Sequence, residues 1–205
     1  MMKVIAINGS PHKKGNTYIA IKRIADILEK DGIETEIIDV GDNFHSGCVA
    51  CGRCRTNGNR CIFNDSVNQI LEKMETSAGM IIGSPTYYAG INGTLKCFLD
   101  RLFMAGGPVF RHKVGVGVSA VRRAGATAVV DQINKYFLIS EMVIVGGNYW
   151  NMVFGAKEGE CIKDDEGMQN MRILANNMAW LLKIIEANGE TRPVGEAKIK
   201  TNMIR

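Results

Sequence analysis

Apolar residues fall in short runs along the chain, and glycine-rich or polar segments separate them at regular intervals. Lys3 to Asn8 (KVIAIN) is a β-branched run that stops at Gly9, Ser10 and Pro11, the pattern of a strand entering a loop. From Thr17 to Lys30 the apolar spacing becomes three and four, with Ile19, Ala20, Ile24, Ile27 and Leu28 on one stripe and Asp31-Gly32 as the stop. This predicts a helix. Glu34 to Val40 predicts a second strand. The alternation continues with a helix marked by Val67, Ile70, Leu71 and Met74, a wholly apolar strand over Gly79 to Gly83 and a helix over Asn92 to Met104. It ends with a strand over Lys113 to Ser119, a helix over Thr127 to Ile139, a fifth strand over Met142 to Val145 and an amphipathic helix over Met168 to Glu186. Strands that are apolar without alternation are buried on both faces, so the order predicts an α/β three-layer sandwich around a five-stranded parallel sheet. The domain is expected over 1–188, with an inserted cysteine-rich loop at 47–61. Residues 189–205 form a polar, basic tail, either loose or laid on a neighbouring subunit.

Composition narrows the classes. Of 205 residues, 46% are apolar and 22% charged, which excludes disordered and collagen-like chains. Twenty-five basic against 21 acidic side chains give +4 without a dense basic block, so no nucleic-acid partner is expected. Val4 to Ile7 is too short for a signal-peptide core, and polar residues interrupt the uncharged run Thr76 to Leu95, so no membrane span is expected. Six cysteines are too few for a disulfide scaffold at this length, which points to a reducing, cytoplasmic setting.

In parallel sheets, ligands gather where strands run into the following helices. The first such loop is Gly9-Ser10-Pro11-His12-Lys13-Lys14-Gly15-Asn16-Thr17. Its glycines let N–H groups turn inward, the next helix adds a partial positive charge, and Ser10, Asn16 and Thr17 can hydrogen-bond phosphate oxygens. Five residues separate the glycines, and Asn16 stands where a triphosphate-binding loop has lysine, so a terminal monophosphate fits better. A plain strand-to-helix turn with Asn16 as N-cap is the alternative. After the third strand, Pro85, Thr86, Tyr87 and Tyr88 offer rigid walls and backbone donors for a flat heteroaromatic ring, or place one tyrosine in the core and one on the surface. The third loop, Ser119 to Ala126, brings Arg122 and Arg123 to the same edge. They suit a phosphate, including that of a nicotinamide nucleotide, or a solvated surface. Gly115-Val116-Gly117-Val118-Ser119-Ala120 matches a dinucleotide-binding pattern, but its glycines lie inside a strand, so that reading is rejected.

Cys48-x2-Cys51-x2-Cys54-x6-Cys61 places four thiols on one loop. Three cysteines at intervals of three can wrap one face of a [4Fe–4S] cubane, with the fourth arriving through the flexible Thr56-Asn57-Gly58-Asn59 arm. Zinc, or redox-reactive cysteines without a metal, are the other readings. Arg53, Arg55 and Arg60 would offset thiolate charge and can meet an acidic partner. Cys97 reads as a buried hydrophobe, and Cys161, in a charged loop, is given no role. Tyr149, Trp150 and Phe154 read as core, interface or ligand-covering aromatics. His12, His45 and His112 have no metal-binding spacing, and no hydrolytic constellation is visible.

The segments GSPHKKGNT and GSPTYYAGINGTLKCFLDR, with the order of elements around them, resemble the flavodoxin-like NAD(P)H-dependent FMN reductases from Val4 to about Glu186. The resemblance implies a flavodoxin-like fold and bound FMN. Ser10, His12, Gly15, Asn16 and Thr17 would hold the ribityl phosphate, Pro85, Thr86, Tyr87 and Tyr88 the isoalloxazine, and Ser119 and Gly125 would complete the pocket. The phosphate loop departs from its relatives in carrying His12, Lys13 and Lys14. The four-cysteine loop further resembles that of the iron–sulfur flavoproteins. That likeness implies Cys48, Cys51, Cys54 and Cys61 as cluster ligands, ferredoxin as electron donor, and transfer to FMN that often crosses a subunit boundary. A homo-oligomer, dimer or tetramer, is therefore expected. The implied activity is an FMN-dependent oxidoreductase taking electrons from NAD(P)H or a cluster and passing them to a small-molecule acceptor. A non-catalytic electron carrier or redox-responsive binding protein is the alternative.

Overall fold

The computed structural model describes residues 2–43, 46–199, 201 and 203; His45 and tail positions 200, 202, 204 and 205 lie outside the described residues. Strand β1 (Lys3–Asn8) pairs in parallel with β2 (Glu34–Asp39) on one side and β3 (Gly79–Tyr87) on the other. Beyond β3 lie β5 (Val114–Val121) and the short β6 (Val143–Ile144), so the central order is β2-β1-β3-β5-β6. Successive side chains on a strand point to opposite faces, and β1 shows the result. Val4 and Ala6 join Ile21, Ile24 and Leu28 of α1 (Asn16–Lys30) and Leu174 and Met178 of α5 (Asp165–Ala187). Ile5 and Ile7 join Leu71 of α2 (Ser66–Glu75), Leu95, Phe98 and Leu102 of α3 (Gly93–Gly106), and Ile133 of α4 (Ala126–Ile139). Each fully buried aliphatic side chain contributes about 1.5–3 kcal/mol, so both faces hold their helices. Among the described residues no helix is long and apolar enough to cross a membrane.

The glycines of the rejected dinucleotide pattern have a packing explanation. A Cβ on Gly115 would lie 2.9 Å from the Phe137 ring, and one on Gly117 would lie 2.9 Å from Ile133. They let α4 approach β5.

Two elements differ from expectation. The third strand runs past Gly83 to Tyr87, turns through Tyr88 and Ala89, and returns as β4 (Gly90–Ile91), pairing Thr86 with Ile91 and Tyr87 with Gly90. The fifth strand forms inside its expected span as β6, and a further strand follows that was not anticipated. After β6 the chain leaves the sheet and rejoins the same edge of β5 as β7 (Met152–Phe154), with Ser119 opposite Met152. Asn170, 1% exposed, holds this detour: its amide donates to the carbonyls of Tyr149 (3.2 Å) and Trp150 (2.9 Å) and its oxygen accepts from Asn148 N (3.1 Å). The sheet therefore has five central strand positions and seven strands.

Candidate functional site

The carboxyl ends of β1, β3 and β5 open into a cleft of about 350 Å³, inside the usual small-molecule range of ~300–1,000 Å³. Its floor is the loop from β1 to α1. Gly9 N donates to Gly83 O (2.8 Å), Ser10 N to Asn8 Oδ1 (3.2 Å), and His12 N to Ser10 Oγ (3.1 Å). Gly41, just after β2, presses on this loop: a Cβ there would stand 2.3 Å from Gly9 O. Helix α1 begins after Gly15 with no side-chain cap and no acidic residue in its first turn. The first-turn N–H groups of a helix lack intrahelical acceptors and carry partial positive charge, so this end suits an anion.

Nine of the sequence-identified residues line the cleft together: Ser10, His12, Gly15, Asn16, Thr17, Pro85, Thr86, Tyr87 and Arg122. Three others do not. Ser119 is fully buried one layer behind, its hydroxyl 2.8 Å from that of Thr86. Gly125, at φ 92°, caps α4 and packs on Thr86 and Ala89 from behind. Tyr88 is wholly exposed at the hairpin tip, where it and Ala89 hold φ of 50° and 55°. Both positions of such a turn favour Asn or Gly, so this tip is strained. Within the basic triplet, Lys13 pairs with Asp42 at 3.0 Å and Lys14 is exposed outside the cleft, which leaves His12 facing it.

The Asn16 side chain, at the edge of the cleft, is already engaged within the chain. Its amide donates to the carbonyls of Gly155 (3.1 Å) and Lys157 (2.9 Å), and its oxygen accepts from Cys161 N (3.2 Å). It is a clamp on residues 155–161 and does not cap α1. Cys161 is a second correction: the residue given no role is fully buried, and its thiol donates to Asn16 O at 3.7 Å. Burial, with Asp164 nearby, pushes that thiol up to about 11. The Glu160 carboxylate accepts from Lys157 N (2.9 Å) and Ala156 N (2.7 Å), which lowers its pKa. The strap so fastened supplies Gly155, Ala156 and Glu158 to the cleft wall. These residues carried no sequence signal, because the strap lies about 140 positions from its anchor.

The four loop cysteines line a second, smaller pocket of about 120 Å³ with Val49, Ile62, Phe63, Met104 and Arg101. It shares no lining residue with the cleft. Cys48 and Cys51 are exposed, and Cys54 is half-buried with its thiol 3.6 Å from Met104 O. Cys61, expected on a flexible arm, is the most firmly held. Its N–H donates to Asn68 Oδ1 (2.8 Å), and Asn68 Nδ2 donates back to Cys61 O (2.9 Å). Arg101 Nε and Nη2 lie 3.4 and 3.3 Å from its sulfur. Among the described residues no three His, Cys, Asp or Glu side chains gather closely enough to hold a metal ion. The donor chemistry still fits a thiolate-bound group: four thiols share one largely apolar pocket. Ala50, Gly52, Gly58 and Asn59 adopt positive φ (53°, 68°, 57° and 58°), the kind of winding that turns backbone N–H groups into an anion-binding hollow. Cys97 is half-buried on α3, and a Cβ at Gly47 would lie 3.7 Å from its sulfur. Tyr149, Trp150 and Phe154 are exposed, which removes the core reading for them.

A parallel α/β sheet with an anion-type loop after its first strand and an aromatic-edged cleft at its carboxyl ends defines the flavodoxin-like class. Solved structures share this fold: an archaeal flavodoxin (TM-score 0.60, 15% identity, 89% of this chain and 99% of that one) and an apo NADH:FMN oxidoreductase (TM-score 0.65, 18% identity, 97% of both). The family model described as NADPH-dependent FMN reductase matches residues 2–157. Among curated relatives, an iron–sulfur flavoprotein of Methanocaldococcus jannaschii is 37% identical over 90% of this chain and 100% of its own length. One from Archaeoglobus fulgidus is 31% identical over 96% of this chain and 100% of its own. The chain belongs to the FMN reductase family and, within it, to the iron–sulfur flavoprotein group.

Proposed function

We propose that the cleft binds FMN, that the protein is an FMN-dependent oxidoreductase, and that its cysteine loop carries a [4Fe–4S] cluster. The supporting observation is the convergence of the uncapped α1 N-terminus, Ser10, Thr17 and His12 with Pro85, Thr86 and Tyr87 around one cleft. FMN bound there would supply exchange of one or two electrons. The chain's own groups do the rest. The first-turn amides and the Ser10 and Thr17 hydroxyls receive the phosphate, with His12 beside it. The backbone of Pro85 to Tyr87 meets the ring edge, and the strap over Gly155 and Ala156 limits water access. Arg122, exposed at the cleft, suits the phosphate of an NAD(P)H donor. Cys48, Cys51, Cys54 and Cys61 are the proposed cluster ligands. Arg60 pairs with Glu75 at 2.5 Å, leaving Arg53 and Arg55 exposed beside the pocket as a docking surface for an acidic ferredoxin. The acceptor is a small molecule, the compartment cytoplasmic, and the working state a homo-oligomer.

Anaerobic purification tests this. Flavin absorbance with iron and acid-labile sulfide near four per chain supports the full reading. Flavin alone leaves a simple reductase, and neither chromophore in cofactor-replete protein overturns it. The exposed Arg53 and Arg55 also favour a carrier without turnover. Steady-state oxidation of NADH or NADPH with a small acceptor excludes that second reading, while ferredoxin-driven reduction without turnover supports it.

A further inference from the structure

Arg101 is a charged residue inside an otherwise apolar helix face, and only 2% of it is exposed. Burying a guanidinium costs several kcal/mol unless its donors are matched. One edge of the group meets that need: Nη1 and Nη2 bind Asp65 at 2.7 and 2.9 Å, a forked ion pair. Asp65 is fixed in turn as the N-cap of α2, accepting from Val67 N. The Phe63 ring lies 4.8 Å from the guanidinium carbon and stacks on its face. The ion pair is thereby complete and neutral. The second edge, Nε and Nη2, points at the sulfur of Cys61 at 3.4 and 3.3 Å. The sulfur is thus the acceptor for the donors that Asp65 does not reach.

We infer that Arg101 is a positioning residue that locks the Cys61 sulfur into the pocket and, through paired N–H···S hydrogen bonds, raises the reduction potential of the cluster held there. This rests on the cluster reading above. Of the four thiols, Cys61 alone receives two side-chain donors and a backbone clamp, so it is the fixed corner onto which Cys48, Cys51 and Cys54 close. Hydrogen bonds to ligating sulfur favour the state with more negative charge, which for an iron–sulfur centre is the reduced one. Asp65 cancels the formal charge of Arg101, so the direction of these bonds, more than net charge, carries the effect. Lysine keeps the charge but has no rigid fork to serve Asp65 and Cys61 together.

The test is an anaerobic redox titration followed by electron paramagnetic resonance, on wild-type holoprotein, Arg101→Lys, and the double variant Arg101→Met/Asp65→Asn. The double variant removes both charges of the pair while asparagine retains the helix cap. Both variants are expected to bind FMN at the wild-type flavin potential, with the cluster potential shifted negative or iron lost from a flavin-replete protein. A purely structural Arg101 would lower the melting temperature and leave the cluster potential where it was. If the double variant fails to fold, the lysine variant is the deciding measurement. Iron-containing wild type with a lysine variant of unchanged potential and iron content overturns the inference alone. Wild type without iron overturns the cluster reading and the inference with it.

Discussion

At the scale of single residues, the site depends as much on what is missing from side chains as on what they offer. Gly41 was not singled out from the sequence, since a lone glycine after a strand reads as an ordinary turn. Its importance comes from 32 residues away, where the backbone of Gly9 and Ser10 occupies the space its Cβ would need, at 2.3 Å. Backbone cannot swing aside as a side chain can, so Gly41→Ala has to displace the phosphate loop. The expected result is a destabilisation of about 1–3 kcal/mol, the usual cost of overpacking, and at least ~10-fold weaker FMN binding by calorimetry. Gly93→Ala is the matched control: it sits in the first turn of α3 with nothing within 4 Å of a new Cβ, and it should leave affinity unchanged. Wild-type affinity in Gly41→Ala would show that the loop tolerates displacement. Ser10, Thr17 and Pro85 were legible because their types announce polarity or rigidity next to a strand end. Asn16 was legible as a site residue, but its contacts were not, because all three of its amide bonds reach the strap.

Elements were legible where local pattern decided them and obscure where distant contacts did. β1 occupies the predicted residues, and α1 begins one residue before its predicted start. The fifth strand forms inside its expected span as β6, but β7 was missed, because Asn170, a polar residue on α5, holds the backbone of 148–150 in the detour between the two. The strap 155–164 was invisible for the same reason. Asn16→Ala deletes its three amide bonds at once, and a single intramolecular hydrogen bond is worth about 0.5–1.5 kcal/mol. Weaker FMN binding and a loosened strap are expected, the latter read directly by alkylation of Cys161. In native protein at pH 8 that thiol should stay unlabelled by mass spectrometry, and in Asn16→Ala it should label. Equal labelling in both would mean the strap is held by other contacts. The raised thiol pKa also has a stability consequence. Its neutral form is favoured in the fold, so its contribution is complete below the unfolded value near 9 and is lost as pH rises toward about 11. Melting temperatures should fall more steeply across that window in wild type than in Cys161→Ala, where this titration is gone.

At the scale of the whole molecule, the cleft and the cysteine pocket lie apart within one chain. Gly93 starts α3 near the carboxyl edge of the sheet, and Arg101 at the cysteine pocket is eight residues along that helix, roughly 12 Å at 1.5 Å per residue. Meanwhile the rim leaves large aromatic side chains uncovered, with Tyr88, Tyr149, Trp150 and Phe154 all exposed. Aromatic residues of this kind are enriched where subunits meet. If a second copy covers this rim with its own cysteine loop at the cleft, electrons would pass between chains. The fold class was readable from the order of elements, whereas transfer across a subunit boundary was expected only through the family resemblance, because no sequence pattern by itself places one chain on another. Mixed assemblies test it. Cys48→Ser/Cys51→Ser removes two proposed cluster ligands, and Thr17→Glu sets a carboxylate in the phosphate cradle, where like charge excludes FMN. Each variant alone should fail to carry electrons from ferredoxin to the acceptor. Hetero-oligomers isolated through two different affinity tags should regain activity, because the intact cysteine loop of one chain faces the intact cleft of the other. If sedimentation shows only monomers, or the purified mixed assembly stays inactive while each chain keeps its remaining cofactor, transfer runs inside a single chain.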